Sequence, residues 1–177
     1  MTEKNDTSRL NEKYIFRNIR QEEITQAAEI EKICFPPNEA CSYEHMEKRV
    51  DKAPELFLVA EDHTTGKIAG FLNGLATDRE HLTDDFFTDA EMHDPKGKNI
   101  MLLGLDVLPE YQRQGLAREL VRCYKEREKA NGREKLILTC LPDKVEMYQK
   151  FGFKDHGIGG SVWGGEAWHE MSVELWG

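Results

Sequence analysis

A chain of 177 residues, of which 39% are hydrophobic and 32% are charged, can bury one substantial core, so we expect a single domain. The net charge of −9 and the lack of Lys/Arg blocks disfavour a nucleic-acid partner, because phosphate binding requires clustered cations. No apolar run approaches the roughly 20 residues that cross a bilayer, so we expect no membrane segment. An acidic surface is better suited to a cationic small molecule.

The cysteines and histidines argue against disulfides and a metal centre. Cys34, Cys41, Cys123 and Cys140 form no CxxC pair, and nothing ahead of them resembles a secretory signal. We therefore expect buried thiols in a reducing, cytoplasmic setting. The six histidines are dispersed without i, i+4 pairing, so no zinc site is expected.

The first half of the chain predicts a strand and two helices after a polar leader. Residues 1 to 13 have no periodicity, and we expect a mobile leader ahead of a domain over 14–177. "YIFRNIR" alternates as a strand does, and "QEEITQAAEIEKICF" has helical spacing that stops before Pro36. Ser42 is the expected N-cap of a second helix, "SYEHMEKRV".

The rest of the chain predicts alternating strands and helices. "ELFLVAED" and "KIAGFLNGLA" form a hairpin, and the long acidic stretch that follows is typical of a functional or mobile loop. "IMLLGLDVL" is apolar enough to be buried on both faces of a sheet. A helix over 115–130, the strand "KLILTC", the short helix "DKVEMYQKF", a glycine-rich loop and the strand "AWHEMSVEL" complete a sheet with helices on both sides.

The turn before the long helix is a candidate anion site. A strand that leads directly into a helix brings unpaired N–H groups to the positive end of the helix dipole. Gly115 and the small Ala117 would let the backbone reach a diphosphate, and Arg113 and Arg118 add positive charge. An ordinary strand-to-helix turn can also use a glycine, so this pattern alone leaves both interpretations open.

Two better-known phosphate motifs are not present. The sequence lacks GxxxxGK[ST], which argues against a nucleotide triphosphatase. "GIGGSVWGG" does not satisfy GxGxxG, and we expect a loop there.

Two motifs in the expected order resemble the GNAT N-acetyltransferase superfamily. "LDVLPEYQRQGLA", then "LILTC" and "MYQKFGF", is similar to its acetyl-CoA-binding core, and Gln112, Gly115 and Ala117 satisfy the family's turn pattern. The resemblance implies an α/β (α+β) acyltransferase fold, a central mixed and mostly antiparallel sheet flanked by helices on both faces. It also implies acetyl-CoA (coenzyme A) as co-substrate.

A looser resemblance over about residues 29 to 175 points to the serotonin-type arylalkylamine N-acetyltransferases, through "EIEKICF", "APELFLVAE", "DREHLT" and the "HEM" near the end. It implies acetyl transfer to a primary amine, a small amphipathic amine or an arylalkylamine, by direct attack in a ternary complex. Two alternatives stay open: a non-catalytic CoA-binding sensor module, and acetylation of a peptide or protein amine.

The resemblance assigns roles to particular residues. Tyr148 becomes the catalytic general acid that protonates the leaving thiolate. A bulge in "IMLLGLDVL" would turn a free backbone N–H toward the thioester carbonyl. The residues expected to bind the coenzyme are Leu105, Asp106, Val107, Gln112, Arg113, Gln114, Gly115, Leu116, Ala117 and Arg118.

The general base and the acceptor pocket are less defined. The related enzymes carry two histidines where this chain has Met101 and Leu103, which cannot titrate. A water chain could replace them, or one of six ionisable side chains: Asp106, Glu31, Glu80, His81, His169 and Glu170. The expected aromatic walls of the amine pocket are Phe35, Phe86, Phe87 and Trp163. The final strand and the glycine-rich turn could pair across a homodimer.

Overall fold

A computed structural model describes residues 9–176 of the chain. Seven strands of this part form one sheet: β1 (Tyr14–Asn18), β2 (Phe57–Asp62), β3 (Ile68–Thr77), β4 (Asn99–Val107), β5 (Lys135–Cys140), β6 (Lys154–Ile158) and β7 (His169–Glu174). The strand order is β1-β2-β3-β4-β5-β7-β6, and every neighbouring pair is antiparallel except the parallel pair β4 and β5. The predicted mixed, mostly antiparallel sheet is confirmed.

Besides the helical residues 9–13, five α-helices within the described part of the chain flank the sheet: α1 (Ile24–Cys34), α2 (Tyr43–Lys52), α3 (Asp85–Thr88), α4 (Leu116–Ala130) and α5 (Val145–Lys150). The predicted N-cap of α2 is confirmed, because the Ser42 hydroxyl accepts a hydrogen bond from the His45 amide at 3.1 Å. No helix within residues 9 to 176 is both long and apolar enough to span a bilayer.

The core lies along the central strands and under α4. All ten residues of β3 are buried. On α4, Leu116, Leu120 and Tyr124 recur at helical spacing and face inward, and the Tyr124 hydroxyl donates to the Leu56 carbonyl at 2.9 Å. This packing fixes the N-terminus of α4 against the end of β4, where the predicted anion site lies.

Strands β4 and β5 separate partway along their length. Their pairing covers three residues of each strand and ends at Met101 opposite Ile137. Beyond that point the later residues of β4 and β5 line a cavity between the two strands. The separation therefore opens the sheet at the carboxyl ends of two parallel strands, which is where ligands bind in many sheets.

The predicted bulge in β4 is confirmed. Asn73 of β3 pairs with Gly104, but the next residue, Gly74, pairs with Leu102, so Leu103 is the extra residue. A Cβ on Gly104 would lie 3.2 Å from an Asp106 carboxylate oxygen and 3.3 Å from the Asn73 amide nitrogen. A Glu31 carboxylate oxygen would lie 3.6 Å from the same Cβ, so the glycine lets three polar groups approach one another beside the bulge.

Three features near the ends of the domain differ from the sequence analysis. Strand β6 was not predicted, because "KDHGI" has little apolar alternation and its pairing with β7 forms it. The final strand, β7, has neighbours on both sides, so it cannot pair across a homodimer as expected; the edge strand is β6. Residues 1–8 of the expected leader lie outside the described part, while residues 9–13 are helical and Leu10 is buried.

Candidate active site

A cavity of about 710 Å³ occupies the opening between β4 and β5. The β4–α4 turn lines one region of it, and the segment between α1 and α2 lines another. Gly104, Leu105, Cys140 and Tyr148 lie on its wall as well. Its volume lies within the range of small-molecule and cofactor sites.

The turn before α4 forms a cluster of free donors. Arg113 and Gly115 have positive φ angles of 62° and 82°, so consecutive amides point toward a common concavity. Among residues 9–176, no backbone or side-chain acceptor takes a hydrogen bond from the amides of residues 113 to 118. The Gln112 side chain is used differently, because it donates to the Val107 carbonyl at 3.0 Å and ties the turn to β4.

Most of the predicted coenzyme residues lie on the cavity wall: Leu105, Val107, Gln112, Arg113, Gly115, Leu116, Ala117 and Arg118. Asp106 and Gln114 do not. The Gln114 side chain accepts hydrogen bonds from Lys13 and from the Tyr14 hydroxyl, both at 2.8 Å, so only its backbone is free for a ligand. Asp106 is fully buried behind the wall.

Tyr148 lies half-buried on the cavity wall, held by two aromatic neighbours. Its ring meets Phe151 and Phe153 edge-to-face, with centroids 6.1 and 5.7 Å apart. Burial raises the pKa of Tyr148 well above its ordinary value, and the nearby Cys140 and Asp106 raise it further. The phenol therefore keeps its proton throughout the neutral pH range.

Glu31 and Asp106 form a buried carboxyl pair beside the β4 bulge. Glu31 reaches the cavity wall from α1, and its Oε2 accepts from the Cys41 amide at 2.9 Å. Burial raises the pKa of Asp106 well above its ordinary value, and the nearby Glu31 charge is the next cause. The protonated form of Asp106 is therefore favoured in the folded protein.

Sequence comparison identifies the family. The profile of the acetyltransferase (GNAT) family matches residues 24–153, well over half of the chain. The chain belongs to this family. Membership confirms the predicted GNAT fold and the predicted acetyltransferase class of the domain.

Solved GNAT structures share the fold at low sequence identity. The loading GNATL domain of CurA from Lyngbya majuscula superposes with a TM-score of 0.80 at 19% identity, over 92% of this chain and 98% of that one. GphF, a GNAT-like decarboxylase in complex with isobutyryl-CoA, gives 0.75 at 18% identity, over 91% and 99%. YhbS of Escherichia coli, a GNAT family N-acetyltransferase in complex with CoA, gives 0.61 at 20% identity, over 92% and 82%.

A curated relative is much longer than this chain. The probable hydrolase YhcX of Bacillus subtilis (strain 168) is 28% identical over 158 residues. The match covers 85% of this GNAT chain but only 30% of the relative's length. None of these similarities supports the serotonin-type subfamily.

Three cysteines on the cavity wall of this GNAT domain are poor nucleophiles. Burial raises the pKa of Cys34 and of Cys41 to about 11 and that of Cys140 to about 12. The Cys34 thiol donates to the Val107 carbonyl at 3.4 Å, and Cys140 lies 3.5 Å from the Met171 sulfur. Little thiolate is present at neutral pH, so an acyl-cysteine is disfavoured.

Of the six side chains considered as general base, two lie beside the bulge and four lie elsewhere. Glu80, His81 and Glu170 line a second cavity of about 340 Å³, where His81 and Glu170 are 2.8 Å apart. His169 pairs with Asp155 at 3.0 Å. None of these four lines the large cavity, which leaves Glu31 and, behind it, Asp106.

Three of the four predicted aromatic walls are present. Phe35, Phe87 and Trp163 line the cavity, and the Phe87 and Trp163 rings stack with centroids 5.1 Å apart. Phe86 is wrong as a wall residue, because it is 1% exposed and belongs to the core. Trp168 lines the cavity and was not predicted.

Sequence reasoning also missed Arg49, a buried cation on the cavity wall. Met46, Arg49 and Val50 are the buried residues of α2 and follow i, i+3, i+4 spacing. An arginine on the apolar face of an amphipathic helix is unusual, and that spacing was the available signal.

Proposed function

We propose that this protein transfers the acetyl group of acetyl-CoA to a small primary amine by direct attack in a ternary complex. The observation that carries the proposal is that the free amides of residues 113 to 118 open into the same cavity as Glu31 and Tyr148. One space thus joins an anion site, a carboxylate and a proton donor, which together match the needs of acyl transfer.

The β4–α4 turn would hold the coenzyme diphosphate. Its amides point at the ligand, the α4 dipole favours negative charge, and Arg113 and Arg118 are exposed beside it. An overall acidic protein can still bind an anionic coenzyme because these donors act at short range.

The β4 bulge would bind the thioester oxygen. The extra residue at Leu103 interrupts the ladder between β3 and β4, and an interrupted ladder leaves backbone donors for a ligand. A fixed N–H aimed at the carbonyl oxygen stabilises the negative charge of the tetrahedral intermediate.

The carboxyl pair would bind and deprotonate the amine. An alkylamine with a pKa of ~10.4 is almost fully protonated at pH 7, and recovering its neutral form corresponds to roughly 4 to 5 kcal/mol. Glu31 reaches the cavity and can accept the proton, and Asp106 would act as a positioning residue buried behind it. The pair of Glu31 and Asp106 would then act as the general base in place of the two expected histidines, whose positions are occupied here by Met101 and Leu103.

Tyr148 would protonate the departing sulfur. A thiolate whose conjugate acid has a pKa of ~8.5 develops charge as the tetrahedral intermediate collapses, and the phenol donates a hydrogen bond and then its proton in that step. The amine attacks the thioester directly, because the buried Cys34, Cys41 and Cys140 hold little thiolate.

The acceptor end favours a small amphipathic amine. Stacked Phe87 and Trp163, together with Phe35 and Trp168, offer apolar and cation–π surfaces, and Glu31 and Glu39 supply carboxylates. An arylalkylamine is one acceptor of this class. A peptide amine is the less favoured acceptor, because Asp84 binds the Val162 amide at 3.1 Å and holds the Trp163 segment beside the cavity.

A CoA-binding sensor without catalysis is the second candidate. Met101 and Leu103, both buried, have side chains that cannot titrate, so neither can act as a base. The carboxyl pair and Tyr148 favour the enzyme over the sensor.

Two measurements on the purified chain separate these functions. Calorimetry with acetyl-CoA measures coenzyme binding, and thiol release with acetyl-CoA and a panel of aliphatic and arylalkyl amines measures transfer. We expect binding together with amine-dependent thiol release. Binding without release from any small amine or peptide amine would support the sensor, and no binding of any CoA species would overturn the proposal.

We place this activity in the cytoplasm as part of the proposal. Cys34, Cys41, Cys123 and Cys140 are all free thiols, which suits a reducing compartment.

A homodimer formed by strand pairing at that end of the sheet would use β6, because β6 is the edge strand there. Ile158 at its end is 63% exposed and Val162 shortly after it is 69% exposed. Sedimentation of the chain, compared with an Ile158→Lys variant, tests that arrangement.

A further inference from the structure

Arg49 is a buried cation with most of its donors unused. Its side chain is 3% exposed, and Nη2 donates to the Phe87 carbonyl at 2.9 Å. Within residues 9–176, Nε and Nη1 have no acceptor. A guanidinium stays charged at all relevant pH values, so its burial without a carboxylate is unfavourable.

Arg49 and Glu31 are two opposite charges at the same end of the cavity. Burial raises the pKa of Cys41 to about 11, while the Arg49 charge lowers it and the Glu31 charge raises it. Glu31 Oε2 accepts from the Cys41 amide at 2.9 Å and Arg49 lines the same cavity, yet in the described part of the chain Arg49 and Glu31 form no ion pair. One end of the cavity thus carries a separate positive and a separate negative group.

We propose that Arg49 binds a carboxylate of the ligand at the acceptor end of the cavity. This inference rests on the proposed function and narrows its acceptor to amines that also bear a carboxylate, with α-amino acids as the favoured class. The ammonium group would meet Glu31, the carboxylate would meet the free edge of Arg49, and the apolar side chain would contact the aromatic walls. A zwitterion satisfies both buried charges at once.

The carboxylate that binds Arg49 could also belong to the acyl group of the thioester. A carboxylate on the acyl group of a CoA thioester would enter the cavity from the coenzyme side and reach the same guanidinium. The carboxylate is common to both sources, so acceptor and thioester must be varied separately.

Arg49 could also be purely structural, with its bond to Phe87 as its whole role. An Arg49→Lys variant distinguishes a ligand-binding role from a structural one. It keeps a positive charge and one donor for the Phe87 carbonyl but loses the planar guanidinium that can bind a carboxylate with two hydrogen bonds. Arg49→Gln removes the charge. Circular dichroism and thermal unfolding of both variants establish that each is folded.

The first arm compares phenylalanine with phenylalaninamide as acceptors, by kcat/KM in the wild type and both variants. The two amines differ in pKa, so the readout is the acid-to-amide ratio in the wild type divided by the ratio in the variant. We expect this double ratio to be about tenfold to a hundredfold for Arg49→Gln and smaller for Arg49→Lys. The second arm compares malonyl-CoA with acetyl-CoA by calorimetry in the same proteins.

A double ratio well above 1 in the first arm assigns the carboxylate to the acceptor. A double ratio well above 1 in the second arm assigns it to the thioester. Double ratios near one in both arms, with folded variants, overturn the carboxylate site. If no amine is acetylated at all, the proposed transfer reaction fails, and the thioester arm still decides for or against Arg49.

Discussion

Gly115 and Gly132 stand at opposite ends of helix α4 with the same backbone φ of 82°. A Cβ on Gly132 would meet no atom within 4 Å, and one on Gly115 would meet only a Leu10 methyl carbon at 4.0 Å. The two sites therefore impose the same left-handed strain on any other residue, but only Gly115 lies on the cavity wall.

This pair gives a matched test of the coenzyme site. Alanine at either position should lower the free energy of unfolding by about 1 kcal/mol, because both sites need a left-handed backbone. Gly115→Ala should also weaken acetyl-CoA binding by about tenfold, because its methyl group stands among the amides that hold the diphosphate. Calorimetry on both variants measures this, and equal acetyl-CoA affinities in the two would contradict the assignment of the turn.

Tyr148→Phe tests the proton donor. The ring packing on Phe151 and Phe153 is kept, so the variant should fold normally and bind acetyl-CoA within about threefold of the wild type. Loss of the hydroxyl should reduce kcat by about a hundredfold, as is usual for a general acid. Steady-state thiol release measures kcat, with Tyr43→Phe, an exposed tyrosine, as the control. An unchanged kcat would remove Tyr148 from the mechanism.

The parts of the site that depend on local backbone could be predicted from the sequence. The Gly115 turn and the Ser42 cap follow from short patterns with a local physical cause, whereas the β4 bulge was expected from the family resemblance. Strand β6 could not be predicted, because its pairing with β7 determines it and its own residues do not.

The distribution of ionisable groups depends on tertiary packing and was less predictable. His81 and His169 were considered because histidine titrates near neutrality, but the fold pairs them with Glu170 and Asp155 away from the large cavity. Glu31 follows Ala27 by one helical turn and is thereby turned toward the bulge. Only the assembled sheet shows that Asp106 lies behind it.

Asp106 and Asp62 should make opposite contributions to stability as pH changes. Burial, and then the Glu31 charge, raises the pKa of Asp106, so the folded state binds a proton that the unfolded state releases above pH ~3.9. The stability that Asp106 contributes is therefore fully present below the ordinary pKa of an aspartate. It is lost as the pH rises through the raised pKa of Asp106 in the folded state. The Tyr111 hydroxyl, at 2.8 Å, lowers the pKa of Asp62, whose contribution is present at higher pH and lost as pH falls through the lowered value.

Urea unfolding at several pH values checks these signs. Relative to the wild type, Asp106→Asn should become more stable as pH rises above ~4, by at most about 1.4 kcal/mol per pH unit. Asp62→Asn should show the reverse trend, becoming relatively less destabilised as pH falls. Parallel pH profiles for wild type and Asp106→Asn would show that Asp106 does not hold a proton in the folded state.

Asp84 should control the amine end of the cavity without touching the coenzyme end. Its carboxylate accepts from the Ser161 hydroxyl and, at 3.1 Å, from the Val162 amide, and the next residue, Trp163, stacks on Phe87. Removing the carboxylate frees the segment that carries one aromatic wall, and the ordering lost there must then be supplied by the amine on binding.

Asp84→Ala is therefore expected to raise KM for the amine by about tenfold, with KM for acetyl-CoA changed by less than about twofold. Asp85→Ala is the matched control, because the adjacent carboxylate is exposed and binds neither Ser161 nor Val162. Initial rates with each substrate varied in turn give both constants. A parallel rise in both would mean that the Trp163 segment supports the whole cavity, and no rise in either would mean that this wall does not contact the amine.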